Sequence, residues 1–383
     1  MHILVTGSTF ALAPEACGCR SGDIGLAQRA GFVSRLRARF TPSLLIDTGD
    51  LATRPEALNV VAGVLRAVGY SAVVVGPLDL AVGRGTLDAA GLRPLLLPEH
   101  PPAAATPRGR VFTVGQVRVG IVAAAVSPDA PGALEDALSA VPALRAQSDV
   151  VIVACRATAK QVAAQLGTRS RAGVQPPDVV LGIGPRATLV RLGRCAFVCP
   201  DPDPAVVHRL TLEMHGRRKS HTTWQTYRVS PHSPADPAAQ RIVDAFYGKQ
   251  EKALLAEYSR DASPQPASLQ CGECHAKAVA WWRADLHARA AQTLKSRHRL
   301  VPQCLPCHSE TYATGGGKLI AAGGLADGIQ CTSCHSPALE QSAPRQVPHQ
   351  RLEVSEAACR RCHKPNTSPD FDFAVRRERI RHW

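Results

Sequence analysis

The sequence predicts an α/β domain over the first 230 residues and a small, mostly helical and irregular domain after it. Three observations support this division. In the first 230 residues, short apolar runs alternate with amphipathic stretches, the pattern of strands and helices in an α/β fold. Residues 230–245 are rich in Pro and Ala, which indicates a linker. Beyond residue 270, eight of the thirteen cysteines recur in regularly spaced pairs.

The α/β domain is predicted from a series of short elements. Strands are expected at 2–6, 43–48, 71–76, 93–97, 111–114, 117–126, 149–154, 178–182, 187–192, 206–213 and 222–229. Helices are expected at 25–39, 55–68, 132–147 and 157–167, and beyond this domain at 237–258 and 276–296. Short loops between strands and helices favour a largely parallel sheet, and a hairpin over 111–119 indicates a mixed or second sheet. The predicted divisions are 1–230, a linker with connecting helix at 231–258, and 259–383.

Composition limits the possible function classes. The chain has 383 residues with 45% hydrophobic and 20% charged residues, enough for two or three folded domains. No apolar run approaches the 18 residues of a membrane span. The net charge of +14 suggests an anionic partner, but 4% aromatic residues argue against a stacking platform for nucleic acid. Residues 1–5 read as a strand, with no visible signal peptide.

Each of the four cysteine pairs is followed at once by His, giving four Cys-x-x-Cys-His motifs. In chain order these motifs are Cys271-Gly-Glu-Cys274-His275, Cys304-Leu-Pro-Cys307-His308, Cys331-Thr-Ser-Cys334-His335 and Cys359-Arg-Arg-Cys362-His363. This is the attachment pattern of c-type haem, in which two thiols bond the haem vinyl groups and the His is the proximal iron ligand. A zinc ribbon or a disulfide framework would not need a His after every pair. The sequence therefore predicts four haem c groups.

The histidine count matches this prediction. Eight His follow residue 246, and four haems with two imidazoles each need eight. The four His outside the motifs are candidate distal ligands, and they are His287, His298, His349 and His382. If all four bind iron, every haem is six-coordinate and passes electrons, whereas a haem with an open face would permit substrate chemistry. About eight haem propionates would offset the local positive charge, so we expect no nucleic-acid partner.

Residues 250–383 resemble the tetrahaem cytochromes that accept electrons from hydroxylamine oxidoreductase. The resemblance lies in the four motifs together with Leu286-His287-Ala288, Gly328-Ile-Gln-Cys331, Ser368-Pro-Asp-Phe-Asp-Phe373 and the terminal Ile380-Arg-His382. It implies that His287 and His382 are distal ligands, and His298 and His349 remain candidates.

Residues 1–230 resemble the metallophosphoesterase fold, in particular its nucleotidase branch, which implies two mixed sheets flanked by helices. The resemblance lies in the order of Ile3-Leu-Val-Thr-Gly-Ser8, Leu44-Leu-Ile-Asp-Thr-Gly-Asp50, Gly76-Pro-Leu-Asp79, Asp149-Val-Val-Ile-Val-Ala-Cys155 and Gly182-Ile-Gly-Pro-Arg186. The metal-binding positions of that family are replaced by Ser8, Phe10, Pro77, Leu78, Cys155, Gly184 and Arg186, and Asp50 survives. Because a two-metal site needs several His and carboxylate ligands, we do not expect phosphoester hydrolysis.

Five cysteines precede the haem motifs. Cys17, Cys19 and Cys155 follow predicted strands, so they could converge at the carboxyl edge of the sheet. Cys195 and Cys199 would share one face of a strand. The loop around Cys17 resembles phosphoesterase-like proteins with a Cys-Gly-Cys loop that often accompany multihaem cytochromes. Structural disulfides and a redox or metal-binding thiol site both remain open.

These observations predict an electron-transfer protein with a catalytically degenerate phosphoesterase-like domain as scaffold or thiol site. The alternative is an oxidoreductase that acts on a small nitrogen or sulfur compound, either at an open haem or at the cluster of Cys17, Cys19 and Cys155. Because c-type haem is attached outside the cytoplasm, a periplasmic or extracellular location is expected. Expected partners are redox proteins, including those of a larger respiratory or photosynthetic electron-transfer complex.

Overall fold

The protein is described here from a computed structural model. The described residues are 1–7, 9, 24–97, 109–124, 132–184, 186–258, 267–296, 299–314, 328–335, 354–365, 368 and 370–382. They form two compact units, an N-terminal unit up to Val243 and a C-terminal unit from Asp244. No helix in the described part of the chain is long and apolar enough to cross a membrane.

The N-terminal unit contains two mixed sheets, as expected. The first has the strand order β11-β10-β1-β2-β3, in which β1, β2 and β3 are parallel and β10 and β11 are antiparallel additions. Its strands are β1 (His2–Thr6), β2 (Ser43–Asp47), β3 (Ala72–Val73), β10 (Val206–His215) and β11 (Arg218–Arg228). Its helices are α1 (Leu26–Arg39), α2 (Pro55–Val68), α3 (Pro77–Val82) and α4 (Arg84–Ala89).

The second sheet has the order β4-β5-β6-β7-β9-β8, with parallel pairing from β5 to β9 and antiparallel strands at both edges. Its strands are β4 (Arg110–Val114), β5 (Val117–Ala123), β6 (Val150–Ala154), β7 (Val179–Leu181), β8 (Thr188–Leu192) and β9 (Cys195–Cys199). Its helices are α5 (Ala133–Ser139), α6 (Val141–Gln147) and α7 (Ala159–Arg171).

The main core lies between the two sheets. Ile3 and Ile46 from the first sheet pack in one buried cluster with Ile121 and Ile152 from the second. Alternate residues along each strand point the other way and are also buried, so both outer faces need a helical layer. On the second sheet this layer is α5, α6 and α7, whose apolar residues join Val151 in a separate buried cluster.

Several elements differ from prediction for local reasons. The strand predicted at 93–97 is a single bridge from Leu96 to Val73, because Pro94 has no N–H for a ladder. The helix predicted at 132–147 is broken into α5 and α6 near Pro142. Strand β9 was not predicted, since its short apolar run lacks the alternation of a half-buried strand.

The C-terminal unit is built from short helices, as expected. The predicted connecting helix is α8 (Pro237–Tyr258), and the boundary between the units falls within it. The further helices are α9 (Ala267–Gln270), α10 (Ala276–Ala284), α11 (Ala290–Lys295), α12 (Leu305–His308), α13 (Glu310–Thr314), α14 (Cys331–Cys334), α15 (Glu356–Arg360) and α16 (Phe373–Arg379), with 3-10 turns at Cys271–Glu273 and His287–Arg289. The single helix predicted at 276–296 is interrupted at Asp285, which ends α10.

Candidate haem-binding site

Each Cys-x-x-Cys-His motif forms a single helical turn. In the first motif the His275 amide donates to the Cys271 carbonyl at 2.8 Å, and the His335 amide does the same to Cys331 at 2.9 Å. The fourth motif repeats the bond at 2.9 Å between His363 and Cys359. Residues three and four apart on a helical turn share a face, so each turn presents two thiols and an imidazole together.

None of the eight motif cysteines is paired with another in a disulfide. Contacts between cysteine side chains join different motifs. The thiols of Cys271 and Cys331 share a hydrogen bond, which links the first motif to the third. Cys307 and Cys362 share another, which raises the pKa of Cys362 and links the second motif to the fourth. Cys334 lies close enough to Cys359 to interact electrostatically.

The imidazoles of two motif histidines are oriented through Nδ1. The Nδ1 atom of His308 lies 3.0 Å from the carbonyl oxygen of Ala290, and that of His363 lies 3.0 Å from the hydroxyl of Ser368. A His that binds a metal through Nε2 usually donates its Nδ1 proton to such an acceptor, which fixes the ring. Both rings are therefore held so that Nε2 is the nitrogen left to bind iron.

Two of the distal candidates show the same arrangement. The Nδ1 atom of His287 lies 2.7 Å from the Asp285 carboxylate, and that of His382 lies 2.8 Å from the carbonyl oxygen of Ile380. The other two candidates, His298 and His349, lie outside the described residues.

Four of the described histidines form two close pairs, each with one motif His and one distal candidate. The ring centres of His287 and His363 are 6.2 Å apart with an interplanar angle of 86°. Those of His335 and His382 are 5.8 Å apart, also at 86°. When two imidazoles bind the same metal through bonds of about 2 Å, their ring centres lie about 6 Å apart. The residues therefore fit a haem iron at each pair.

Two rings of these pairs, His335 and His363, favour the neutral form that binds metals. Burial lowers the pKa of His335, and the neighbouring His382 and His275 lower it further. Burial also lowers the pKa of His363, with a further contribution from His287. Because a metal binds the deprotonated nitrogen, both shifts favour the ligand state near neutral pH.

Three carboxylates, Asp47, Asp50 and Asp79, lie where the strands of the first sheet end. Asp79 is buried and accepts hydrogen bonds from the backbone amides of Asp50, Leu51 and Gly76 at 2.7–2.8 Å. Burial raises its pKa to about 6, although these bonds oppose the shift. Asp50 has a left-handed φ of 54°, a strained conformation for a residue with a side chain.

Two arginines occupy this region. Arg29 is 1% exposed, and its guanidinium lies 3.4 Å from the carboxylate of the fully buried Asp47. Arg156, just after β6, donates to Asp50 at 3.1 Å. Both carboxylates are therefore engaged by guanidinium groups. Among the described residues, no three His, Cys, Asp or Glu side chains gather in a metal-binding group.

The convergence predicted for Cys17, Cys19 and Cys155 stays a prediction, whereas Cys195 and Cys199 share one buried face of β9 as expected. Cys17 and Cys19 lie outside the described residues. Cys155, Cys195 and Cys199 are buried free thiols in one apolar cluster behind the second sheet. Burial raises the pKa of Cys155 to about 11 and that of Cys195 to about 12. Thiols in this environment are packing residues with little thiolate at neutral pH.

Sequence reasoning missed Arg29 and Arg156. Arg29 had a detectable signal, because it lies on the same helical stripe as the buried Leu26 and Val33. A charge on a buried stripe requires a buried partner. Arg156 had no such signal, since its partner Asp50 is distant in the sequence.

One comparison bears directly on the motif-bearing part of the chain. Residues 270–336 match the family described as cytochrome c554 and c-prime. The match includes the first three Cys-x-x-Cys-His motifs and His287. The C-terminal unit is thus similar to c-type cytochromes, which carry haem c and transfer electrons. No curated protein matches the chain.

Solved structures show the fold of the N-terminal part. The sulfate thiohydrolase SoxB of Thermus thermophilus matches at 16% identity and a TM-score of 0.51, over 66% of this chain and 61% of that protein. The calcineurin-like phosphoesterase YfkN of Bacillus subtilis matches at 15% identity and a TM-score of 0.50, over 65% of this chain and 97% of that one. The expected metallophosphoesterase-like fold is confirmed. The chain spans less than two thirds of the length of SoxB.

Proposed function

We propose that this protein is a tetrahaem c-type cytochrome that relays electrons between redox partner proteins. The observation that carries the proposal is the presence of two pairs of perpendicular imidazoles, His287 with His363 and His335 with His382, at separations that would let each pair hold one iron. An iron with two imidazole ligands has no open position for substrate, so it exchanges electrons.

The residues that would hold the four haems follow from the motifs. Each motif supplies two thiols and one proximal ligand, with His275, His308, His335 and His363 as the proximal ligands. His363 would share its iron with His287, and His335 with His382. His298 and His349 remain the candidate distal ligands for the first two motifs. When bound, haem c supplies reversible one-electron reduction of iron.

The contacts between thiols support an order for the relay. Both thiols of one motif bond the same haem, so contacts between motifs imply neighbouring haems. Cys271 contacts Cys331, Cys334 lies near Cys359, and Cys362 contacts Cys307. Electrons would therefore pass among the motifs in the order first, third, fourth and second, in either direction.

The N-terminal unit would serve as a scaffold or docking surface. In its phosphoesterase-like centre, Arg29 pairs with Asp47 and Arg156 pairs with Asp50. These carboxylates are therefore occupied by arginines and would not serve as a set of metal ligands. Haem c attachment takes place outside the cytoplasm, so we propose a periplasmic or extracellular location. The partners would be redox proteins, including those of a larger respiratory or photosynthetic complex.

Coulometric titration of the chain matured in a bacterial periplasm tests this function. The account predicts that each chain takes up four electrons and returns them to an oxidant. A variant with Cys359→Ser and Cys362→Ser is the matched control, and it should take up three. Uptake of fewer than four electrons by the wild-type chain would contradict the proposal.

A further inference from the structure

Asp285 contacts both the backbone amide and the ring of His287. One carboxylate oxygen of Asp285 accepts from the His287 backbone amide at 2.9 Å and lies 2.7 Å from its Nδ1 atom. At the end of α10, the backbone amide of Asp285 donates to the carbonyl oxygen of Trp282 at 3.0 Å. Two contacts with His287 therefore hold one oxygen of the carboxylate, and the Asp285 side chain is 23% exposed.

The acceptor on His287 differs in charge from the acceptors on the other oriented rings. His308 and His382 contact backbone carbonyl oxygens, and His363 contacts the hydroxyl of Ser368. All three acceptors are neutral, whereas Asp285 is a carboxylate. A charge-assisted hydrogen bond is roughly twice as strong as a neutral one.

We propose that Asp285 is a positioning residue that lowers the reduction potential of the iron bound by His287 and His363. This inference rests on the proposed function, since it requires His287 to be an iron ligand. A carboxylate that accepts the Nδ1 hydrogen bond makes the imidazole more basic at Nε2. A more basic ligand stabilises ferric iron relative to ferrous iron, so the potential falls.

The consequence is a built-in asymmetry in the relay. The two proposed bis-imidazole sites have similar geometry, with ring separations of 6.2 and 5.8 Å. Their ring acceptors differ, because His382 contacts the neutral carbonyl of Ile380. Asp285 would therefore keep the His287–His363 site oxidised longer during reduction than a neutral acceptor would. Each reduction adds one electron to one iron and breaks no bond.

The test is a spectroelectrochemical titration of the fully loaded protein, with low-spin iron followed by electron paramagnetic resonance. In the Asp285→Asn variant, the reduced-to-oxidised ratio of one haem at fixed potential should rise roughly tenfold, while the other three stay unchanged. Glu356→Gln is the matched control, because it removes a carboxylate that pairs with Arg360 and not with a His. Asp285→Glu keeps the charge and should restore most of the wild-type ratio.

Two results would overturn the inference, namely unchanged potentials in Asp285→Asn or an equal shift in Glu356→Gln. If Asp285→Asn does not mature, the Asp285→Ser variant is used instead. Its hydroxyl is a neutral acceptor, like the Ser368 hydroxyl beside His363, and the same shift in the reduced-to-oxidised ratio is expected. Failure of the proposed function is a separate observation. It would appear as uptake of fewer than four electrons by the wild-type chain.

Discussion

The imidazole rings of His287 and His363 stand nearly perpendicular with their centres 6.2 Å apart. The two residues lie far apart in sequence, and each ring is oriented by a hydrogen bond at Nδ1. With Nδ1 engaged, the Nε2 atom of each ring would be the one to hold an iron. Side-chain hydrogen bonds therefore orient both proposed ligands.

Removing a distal ligand should change the spin state of one haem. In a His287→Ala or His382→Ala variant, one iron loses an axial nitrogen, so about a quarter of the iron should become high-spin. Electron paramagnetic resonance of the oxidised protein measures this fraction. His215→Ala, in the N-terminal unit, is the control and should leave every haem unchanged. Wild-type spectra from both distal variants would disprove the assignment.

Replacing Arg29 should destabilise the N-terminal unit. Arg29→Met leaves the buried Asp47 carboxylate without its cationic partner, which typically costs about 3–5 kcal/mol. Denaturant unfolding followed by circular dichroism measures the loss in the free energy of unfolding.

The double variant Arg29→Met with Asp47→Asn is the control for the missing charge. It should recover part of the loss, because no buried charge is left unpaired. A double variant that is no more stable than Arg29→Met would show that packing, and not charge, accounts for the effect.

Asp79 should make stability depend on pH. Its folded pKa is raised to about 6 by burial, so the folded state binds a proton more tightly than the unfolded state. The stabilising contribution is present at low pH and is lost as pH rises toward about 6, by up to roughly 3 kcal/mol. The free energy of unfolding of wild type minus that of Asp79→Asn should fall over this range. If this difference in the free energy of unfolding does not change with pH, the pKa of Asp79 is not raised in the folded state.

The buried thiols of the N-terminal unit should be unreactive in the native state. Burial raises the pKa of Cys155, Cys195 and Cys199 to about 11 or 12. At neutral pH, iodoacetamide followed by peptide mass spectrometry should therefore find these three residues unmodified, and the unfolded protein should be labelled at all three. Rapid native labelling of Cys155 would instead support a thiol site there.

Much of the architecture could be predicted from local patterns. The four Cys-x-x-Cys-His motifs indicated the haem-binding region because covalent attachment fixes both residue type and spacing. Strands such as β1 and β6 are continuous apolar runs, as expected of strands covered on both faces. The resemblance to known cytochromes pointed to His287 and His382.

The pairing of residues could not be predicted, because it depends on tertiary contacts. The sequence does not indicate that His363 lies opposite His287, or that Arg156 reaches Asp50. It also does not indicate that Cys195 and Cys199 pack with Cys155 in one apolar cluster. The carboxylate on His287 was overlooked although Asp285 is two residues away, because spacing alone did not indicate a bond to Nδ1.

The most direct test of the central claim combines a haem count by mass spectrometry with electron paramagnetic resonance of the oxidised, periplasmically matured protein. The account predicts four covalently attached haems per chain, with at least two in the low-spin state of bis-imidazole iron. Fewer than four haems, or fewer than two low-spin irons per chain, would contradict it.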